Sequence, residues 1–171
     1  MMLQGKTCYE YRRLLFGLLL LAAMTGCSGS PESGSSVPFV SLEQLAAAPI
    51  AVSIEQHSIR LSTYLYRDFM PISPPDGKPM IAVAKIASAD SSPLPSGLDA
   101  DRIWLINGDQ VWQGTFSSEA RPSDPALLEK VLRNGPMWSP GSKVDVVVRI
   151  ISPGSEQFLL RAPKQLVHRT D

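Results

Sequence analysis

The stretch VDVVVRIISPGSEQFLLRA, residues 144–162, decides the fold class of this chain. Apolar side chains occupy every second position of its first arm, at Val144, Val146, Val148 and Ile150. The same spacing returns on the second arm, after a turn signal at residues 153–155, at Phe158, Leu160 and Ala162. Such alternation is typical of strands with one buried face. The stretch therefore predicts an antiparallel hairpin, whose second strand continues through residues 166–169.

Further strand signals lie upstream of this hairpin. Apolar and polar residues alternate over residues 59–66, whereas residues 80–87 are apolar on both faces, which is typical of a central strand. The pair Asn107-Gly108 stands between two apolar runs, residues 103–106 and 111–116. An Asn-Gly pair in this position is a strong hairpin signal. These patterns predict a domain built mainly of strands.

Two short segments carry helical signals instead. Ser41 and Gln44 have the spacing of a capping box, so one or two helical turns are expected within residues 40–49. Residues 126–133 place their apolar side chains at a helical spacing, and Asn134-Gly135-Pro136 follows as a stop signal. The second segment is expected to be a helical insert between strands.

Short strands separated by Gly/Pro-rich turns indicate a β-sandwich. The predicted fold is mainly β, an immunoglobulin-like or transthyretin-like sandwich of six to seven antiparallel strands with one short helical insert. This domain is expected to span residues 39–171.

The N-terminal segment predicts export. Residues 14–23 form an apolar run of ten residues behind Arg12 and Arg13. A membrane-spanning helix needs about 20 apolar residues, so this run is too short to span a bilayer. Its length and basic flank are typical of a secretion signal peptide, which is expected to cover residues 1–26.

The signal ends in Met24-Thr25-Gly26-Cys27, which resembles the lipobox of bacterial lipoprotein precursors. The resemblance implies cleavage before Cys27 and attachment of lipid to its thiol and new amine. Two or three acyl chains anchor a protein firmly, whereas one chain binds only marginally. Ser28 in this family favours the outer membrane, with the domain facing the periplasm. Residues 27–38 are rich in Ser, Gly and Pro and are expected to be a flexible tether.

The composition excludes several kinds of partner and site. Residues 1–26 hold three of the 16 basic and one of the 16 acidic residues, so the remaining chain carries 13 basic and 15 acidic residues. Such a balance gives no basic surface for nucleic acid. The only cysteines are Cys8, in the predicted signal, and Cys27, so neither a disulfide nor a thiolate metal site is expected.

The chain has no catalytic or metal-binding motif. His57 and His168 are far apart in sequence, and no HExxH spacing occurs. No serine stands in a GxSxG or SxxK motif. We therefore expect no catalytic residues, no metal ligands and no cofactor, and predict that the protein is not an enzyme.

Aromatic and apolar residues in loops are the candidate binding surface. Phe69 and Met70 enter a proline-rich loop, and Trp138 stands in a second Gly/Pro-rich loop. Each of the three either forms an exposed docking surface or caps the end of the core. Trp104 and Trp112 lie on opposite arms of the Asn-Gly hairpin and are expected to pair across it.

The sequence thus predicts a lipid-anchored, non-catalytic adaptor that binds another cell-envelope protein through an edge strand or end loops. The alternative is a lipoprotein that binds a glycan or small molecule by stacking it on Trp138 and on Tyr64 or Tyr66.

Overall fold

The structure, a computed structural model, describes residues 40–117 and 124–171. The elements in chain order are α1 Leu42–Ala46, β1 Ala51–Ile54, β2 His57–Asp68, β3 Ile81–Ser88, β4 Asp99–Asn107, β5 Gln110–Thr115, β6 Leu127–Leu132, β7 Lys143–Ile151 and β8 Gln157–Thr170. The predicted signal peptide, the predicted lipidation site Cys27 and the predicted tether lie outside the described residues. No helix among the described residues is long and apolar enough to span a bilayer.

Both predicted hairpins are confirmed. In the β7–β8 hairpin Val146, Val148 and Ile150 pair with Ala162, Leu160 and Phe158, respectively. The β4–β5 hairpin turns at Gly108 and Asp109, where Gly108 has a φ of +60°. A glycine with positive φ at the first turn position favours the strand twist of a tight hairpin.

The strands form one mixed sheet of eight strands. Its order is β5-β4-β7-β8-β2-β3-β6, and β1 pairs with β2 outside this path. Six to seven strands, all antiparallel, were expected. Both parts of this expectation are wrong, because the sheet has eight strands and β8 runs parallel to β2 over Val167–Thr170. The mainly β class is confirmed.

A bend in β8 produces this topology. The first part of β8 pairs with β7, whose register shifts between Val144 and Val146. On the β8 side, Pro163 removes one backbone donor, Lys164 has a φ of +54°, and the Lys164 N–H donates to Asp145 Oδ1 at 2.7 Å. Beyond the bend Gln165 and Leu166 still pair with β7, and from Val167 onward β8 pairs with β2. The predicted continuation of the strand through residues 166–169 is confirmed.

The sheet curls until its two terminal strands approach each other. The backbone N–H of Ser117, just past β5, donates to the carbonyl of Val131 in β6 at 2.8 Å. The side chain of Lys130 in β6 contacts Asp99 Oδ1 in β4 at 2.6 Å. The curled sheet therefore encloses one main core, to which residues of both halves contribute, among them Ile59, Leu65, Ile86, Ile103, Leu105, Val146, Val148 and Leu160.

The residues predicted to form a helical insert, 126–133, instead form strand β6. The pairs Leu127/Leu128 and Val131/Leu132 fit a helical spacing, but they also place apolar side chains on both faces of a strand. Six residues of β3 pair with β6, and this non-local pairing overrides the local pattern.

Helix α1 covers the outer face of β4 and β7. Both hydrogen bonds of the predicted capping box between Ser41 and Gln44 are present. Leu45 and Ala48 pack there against Trp104 and Val147 in a second, smaller cluster.

Trp104 and Trp112 do not pair across the hairpin. Leu105 is the residue opposite Trp112, so the two tryptophans lie on opposite faces of the sheet. Trp104 packs under α1, and Trp112 packs against the main core.

Gly114 lets β5 pack against β6. A Cβ atom there would lie 2.5 Å from Trp112 Cη2 and 3.0 Å from Leu132 Cδ1.

We predict that Gly114→Ala lowers the free energy of unfolding by about 1–3 kcal/mol because of overpacking. Urea unfolding checks this value. Gly154→Ala is the control, since its nearest heavy atom is 3.8 Å away, and its change should stay within about 0.5 kcal/mol. Equal losses in both variants would contradict the close approach of β5 and β6.

Candidate functional site

The two loops singled out from the sequence meet at the end of β2. They are the first end loop, residues 69–80, and the second end loop, residues 133–142. The backbone N–H of Gly135 donates to the carbonyl of Met80 at 2.9 Å. The backbone N–H of Gly141 donates to the carbonyl of Val167 at 2.8 Å. The second end loop therefore crosses the ends of β3 and β8, which places it beside the first.

Arg67 joins these two loops. The alternation of β2 directs Leu65 and then Arg67 to its buried side, and Arg67 is only 4 % exposed. Its Nε donates to the carbonyl of Lys78 at 2.9 Å, and its Nη2 donates to the carbonyl of Asp76. Both acceptors belong to the first end loop.

The same guanidinium also binds the second end loop. Arg67 Nη1 donates to the carbonyl of Met137 at 3.1 Å and contacts the carbonyl of Trp138 at 3.4 Å. Its Nη2 lies 3.5 Å from the sulfur of Met137. The buried guanidinium of Arg67 thus donates hydrogen bonds to backbone carbonyls of both loops. If either loop shifted, Arg67 would lose these hydrogen bonds or become exposed to solvent.

Phe69 is held between two arginines. Its ring centroid lies 5.1 Å from Arg67 Cζ and 4.1 Å from Arg169 Cζ, which are cation–π distances. Its backbone N–H donates to the carbonyl of Thr170 at 2.8 Å. Gly77, with a φ of +73°, lies directly against the ring, where a Cβ would come within 2.6 Å of Phe69 Cζ. Phe69 therefore supports the first end loop from below.

Asp68 and Lys78 close the base of the first end loop. Lys78 Nζ donates to Asp68 Oδ2 at 2.8 Å, and the N–H of Met70 donates to Asp68 Oδ1 at 2.9 Å. The hydrogen bond from Lys78, followed by that from Met70, holds the pKa of Asp68 below its usual value. Asp68 is therefore ionised at neutral pH.

Three apolar side chains project from the loops that Arg67 holds. Ile72 is 89 % exposed, Met137 is 50 % exposed and Met70 is 48 % exposed. We call Met70, Ile72 and Met137 the apolar rim. Trp138 is half-buried and packs against the main core.

All three predicted residues lie at this end of the sheet, but in different roles. Met70 is exposed, Phe69 supports the loop, and Trp138 caps the core. Ile72 and Met137 were missed, although each is an apolar residue in a proline-containing loop, which is the signal that identified Met70 and Trp138.

A second polar cluster surrounds Asp90. Ser88 Oγ and Ser92 Oγ each donate to Asp90 Oδ1 at 2.6 Å, and His57 Nδ1 lies 2.9 Å from Ser92 Oγ. The bonds from Ser88 and Ser92 keep the pKa of Asp90 far below its usual value. Ser92 Oγ also lies 3.2 Å from Ser88 Oγ, so His57, Ser88, Asp90 and Ser92 form one hydrogen-bonded cluster.

His168 belongs to an aromatic cluster on the outer face of the sheet. Its ring stacks on Tyr64 with centroids 5.0 Å apart, and Tyr64 lies 5.3 Å from Tyr66. Tyr64 thus contacts aromatic rings of its own chain, which reduces the ring surface open to a ligand.

One small pocket of about 160 Å³ lies elsewhere, beside Val40, Gln157 and Leu159. Arg149 lines it and forms a bidentate ion pair with Asp101. The hydrogen bonds of this ion pair lower the pKa of the Asp101 carboxyl and raise the pKa of the Arg149 guanidinium. Since its charge is already matched, Arg149 has little capacity for an anionic ligand.

No group of three or more His, Cys, Asp or Glu residues that could hold a metal ion occurs within residues 40–117 and 124–171. In comparisons with known proteins, no family model, no curated protein and no solved structure matches the chain.

The contact between Gly77 and Phe69 can be tested with a matched pair of variants. Gly77 and Gly141 both have positive φ, but a Cβ on Gly141 would meet no atom within 4 Å. Both alanine variants should lose about 1–2 kcal/mol of unfolding free energy from backbone strain. We predict a further loss of about 1–3 kcal/mol in Gly77→Ala from overpacking against the Phe69 ring. Chemical denaturation measures the difference, and equal losses would contradict the role of Phe69 as the loop's support.

Proposed function

We propose that this protein is a lipid-anchored lipoprotein of the outer membrane, facing the periplasm, that binds another envelope protein through the apolar rim. It acts as a non-catalytic adaptor. The observation that carries the proposal is the buried Arg67, which bonds to both end loops beneath the rim.

The rim has the properties of a prepared binding surface. Binding requires that mobile loops become ordered, and each side chain immobilised in this way costs free energy. Arg67 and Phe69 already hold the backbone from which Met70, Ile72 and Met137 project. The ordering cost is therefore small, while the exposed apolar surface gains free energy when a partner covers it.

The side-chain chemistry favours a protein partner. Methionine side chains are flexible and polarizable, so Met70 can adapt to an irregular apolar surface, while Met137, whose sulfur lies against Arg67, presents a more fixed apolar surface. Exposed Ile72 can insert into a pocket of the partner as an anchor. Backbone carbonyls saturate Arg67, so the guanidinium stabilises the loops and is not left free for a ligand.

The first described residue and the rim lie at different places on the domain. The described chain begins at Val40, which lines the pocket with Arg149 toward the end of β7. The second end loop leads into the start of β7 at Lys143. Six residues of extended strand separate Lys143 from Arg149, a distance of about 20 Å. The rim therefore lies well away from Val40, the first described residue.

We also infer that the two halves of the curled sheet, β5-β4-β7-β8 and β8-β2-β3-β6, face each other as an immunoglobulin-like or transthyretin-like sandwich. The main core, which draws residues from both halves, supports this inference.

Binding of a glycan or small molecule is the weaker candidate. Trp138 packs against the core, and Tyr64 stacks on His168 and Tyr66, so these rings offer less free surface for stacking than the sequence suggested.

The proposal predicts that partner capture depends on the rim. The full chain is crosslinked in cells and captured, and the attached envelope proteins are identified by mass spectrometry. The double variant Met70→Gln/Ile72→Gln should lose a partner that the parent retains, because it removes apolar surface from the rim. Cys27→Ala should also lose this partner, because the domain is no longer anchored.

A matched double variant controls for loss of apolar surface in general. Leu42 and Ile50 are also exposed, but Leu42 belongs to α1 and Ile50 follows it shortly, and neither is part of the end loops that carry the rim. Leu42→Gln/Ile50→Gln should retain the partner. Equal capture by both double variants, or equal loss in both, would contradict binding through the rim.

A further inference from the structure

The methionines of the described residues lie in two different environments. Met70 and Met137 are half-exposed and belong to the apolar rim, whereas Met80, at the end of the first end loop, is fully buried. The other methionines of the chain belong to the predicted signal peptide and are Met1, Met2 and Met24. Every exposed methionine within residues 40–117 and 124–171 therefore belongs to the rim.

The sulfur of Met137 completes the hydrogen bonds of Arg67. A guanidinium carries five N–H donors. Nε donates to the carbonyl of Lys78, Nη1 faces the carbonyls of Met137 and Trp138, and Nη2 donates to the carbonyl of Asp76. Met137 Sδ, 3.5 Å from Nη2, is the acceptor for the remaining donor. Because a thioether sulfur accepts only weakly, a stronger acceptor at this position would bind Arg67 better.

Oxidation of a thioether to a sulfoxide supplies such an acceptor. A lone pair of the sulfur attacks one oxygen of a hydroperoxide, and the S–O bond forms as the O–O bond breaks. The proton of the transferred hydroxyl passes to the leaving oxygen, which departs as water or an alcohol. The sulfur is oxidised by two electrons, and the hydroperoxide is reduced by two. The apolar side chain thereby becomes polar.

We propose that Met70 and Met137 form a reversible oxidation site for hydroperoxides, and that their sulfoxides make the rim polar while Arg67 continues to hold both end loops. The carbonyl acceptors of Arg67 are backbone groups, which this oxidation does not change. The sulfoxide oxygen of Met137 takes the donor that now faces the sulfur. Oxidation therefore changes the chemistry of the rim and leaves its position fixed.

The biological effect of this site rests on the proposed function. A partner that covers the rim would have to desolvate two sulfoxides, and burial of a polar group costs free energy unless the partner supplies donors. Oxidation should therefore release the partner. A methionine sulfoxide reductase returns the oxygen as water at the expense of a dithiol, and this step should restore binding.

Peptide mass mapping of the purified full chain after treatment with hydrogen peroxide tests the site. Met70 and Met137 should gain one oxygen on the order of tenfold faster than Met80, because a buried sulfur reacts only when the structure opens locally. Met80 is the internal control, since it belongs to the same loop as Met70. Equal rates at all three positions, or a Met137 that does not react, would overturn the assignment.

Hydrophobic interaction chromatography measures the polarity of the rim without a partner. The oxidised parent should elute earlier than the reduced parent, and reductases for both sulfoxide epimers should reverse the shift. Met70→Leu/Met137→Leu should shift less, because its rim is apolar but contains no sulfur. Met80→Leu is the matched control and should shift as the parent does. Methionines of the predicted signal contribute equally in all variants, so equal shifts in both variants would overturn the proposal.

Amide hydrogen exchange tests the claim that the loops remain held. The amides of Lys78 and Gly135 are hydrogen-bonded at the bases of the two end loops. Their exchange should be the same in the reduced and the oxidised parent. Faster exchange at both amides after oxidation would overturn the claim, because it would show that the sulfoxides release the loops.

Partner capture separates the oxidation site from the proposed function. The purified parent and Met70→Leu/Met137→Leu are treated with peroxide, freed of it and crosslinked to an envelope extract. Both reduced proteins should capture the same partner, and after oxidation only the parent should lose it. Loss in both or retention in both would overturn regulation by oxidation. Failure of the reduced parent to capture any partner would overturn the proposed function and its regulation, while the oxidation site would still stand on the mapping.

Discussion

The buried guanidinium of Arg67 is the constraint on which the candidate site depends. A cation in the protein interior is tolerated only when its donors are satisfied, and removal of their acceptors costs several kcal/mol. Here the acceptors are backbone carbonyls from both end loops. The hydrogen bonds that satisfy the donors of Arg67 therefore also hold the two loops together. They fix the positions from which the side chains of the apolar rim project.

The bend in β8 couples this site to the topology of the sheet. After the irregularity at Pro163 and Lys164, β8 pairs with β7 again at Gln165 and Leu166, and its last residues, from Val167 onward, run alongside the end of β2. Arg169 then reaches the ring of Phe69, and the carbonyl of Thr170 accepts a hydrogen bond from the backbone N–H of Phe69. The parallel pair of strands thus forms one side of the site.

Local patterns predicted the hairpins well, because alternation and an Asn-Gly turn act between neighbours in the sequence. They failed at β6, since two apolar pairs four residues apart, Leu127/Leu128 and Val131/Leu132, fit both a helix and a strand, and only the pairing with β3 decides between them. Met70 could be found as an apolar residue in a proline-rich loop. Arg67 could not, because an arginine near a strand end is usually solvated, and its burial depends on loops distant in sequence.

The most direct test of this account is amide hydrogen exchange of the parent and of Arg67→Lys. Lysine keeps the charge but cannot reach both loops with a planar fork of donors. The account predicts faster exchange at Lys78 and Gly135, whose amides are bonded at the bases of the two loops, with unchanged protection at Val148 in the core of β7. Unchanged exchange in both loops, or a uniform loss of protection across the sheet, would contradict the claim that Arg67 holds the loops specifically.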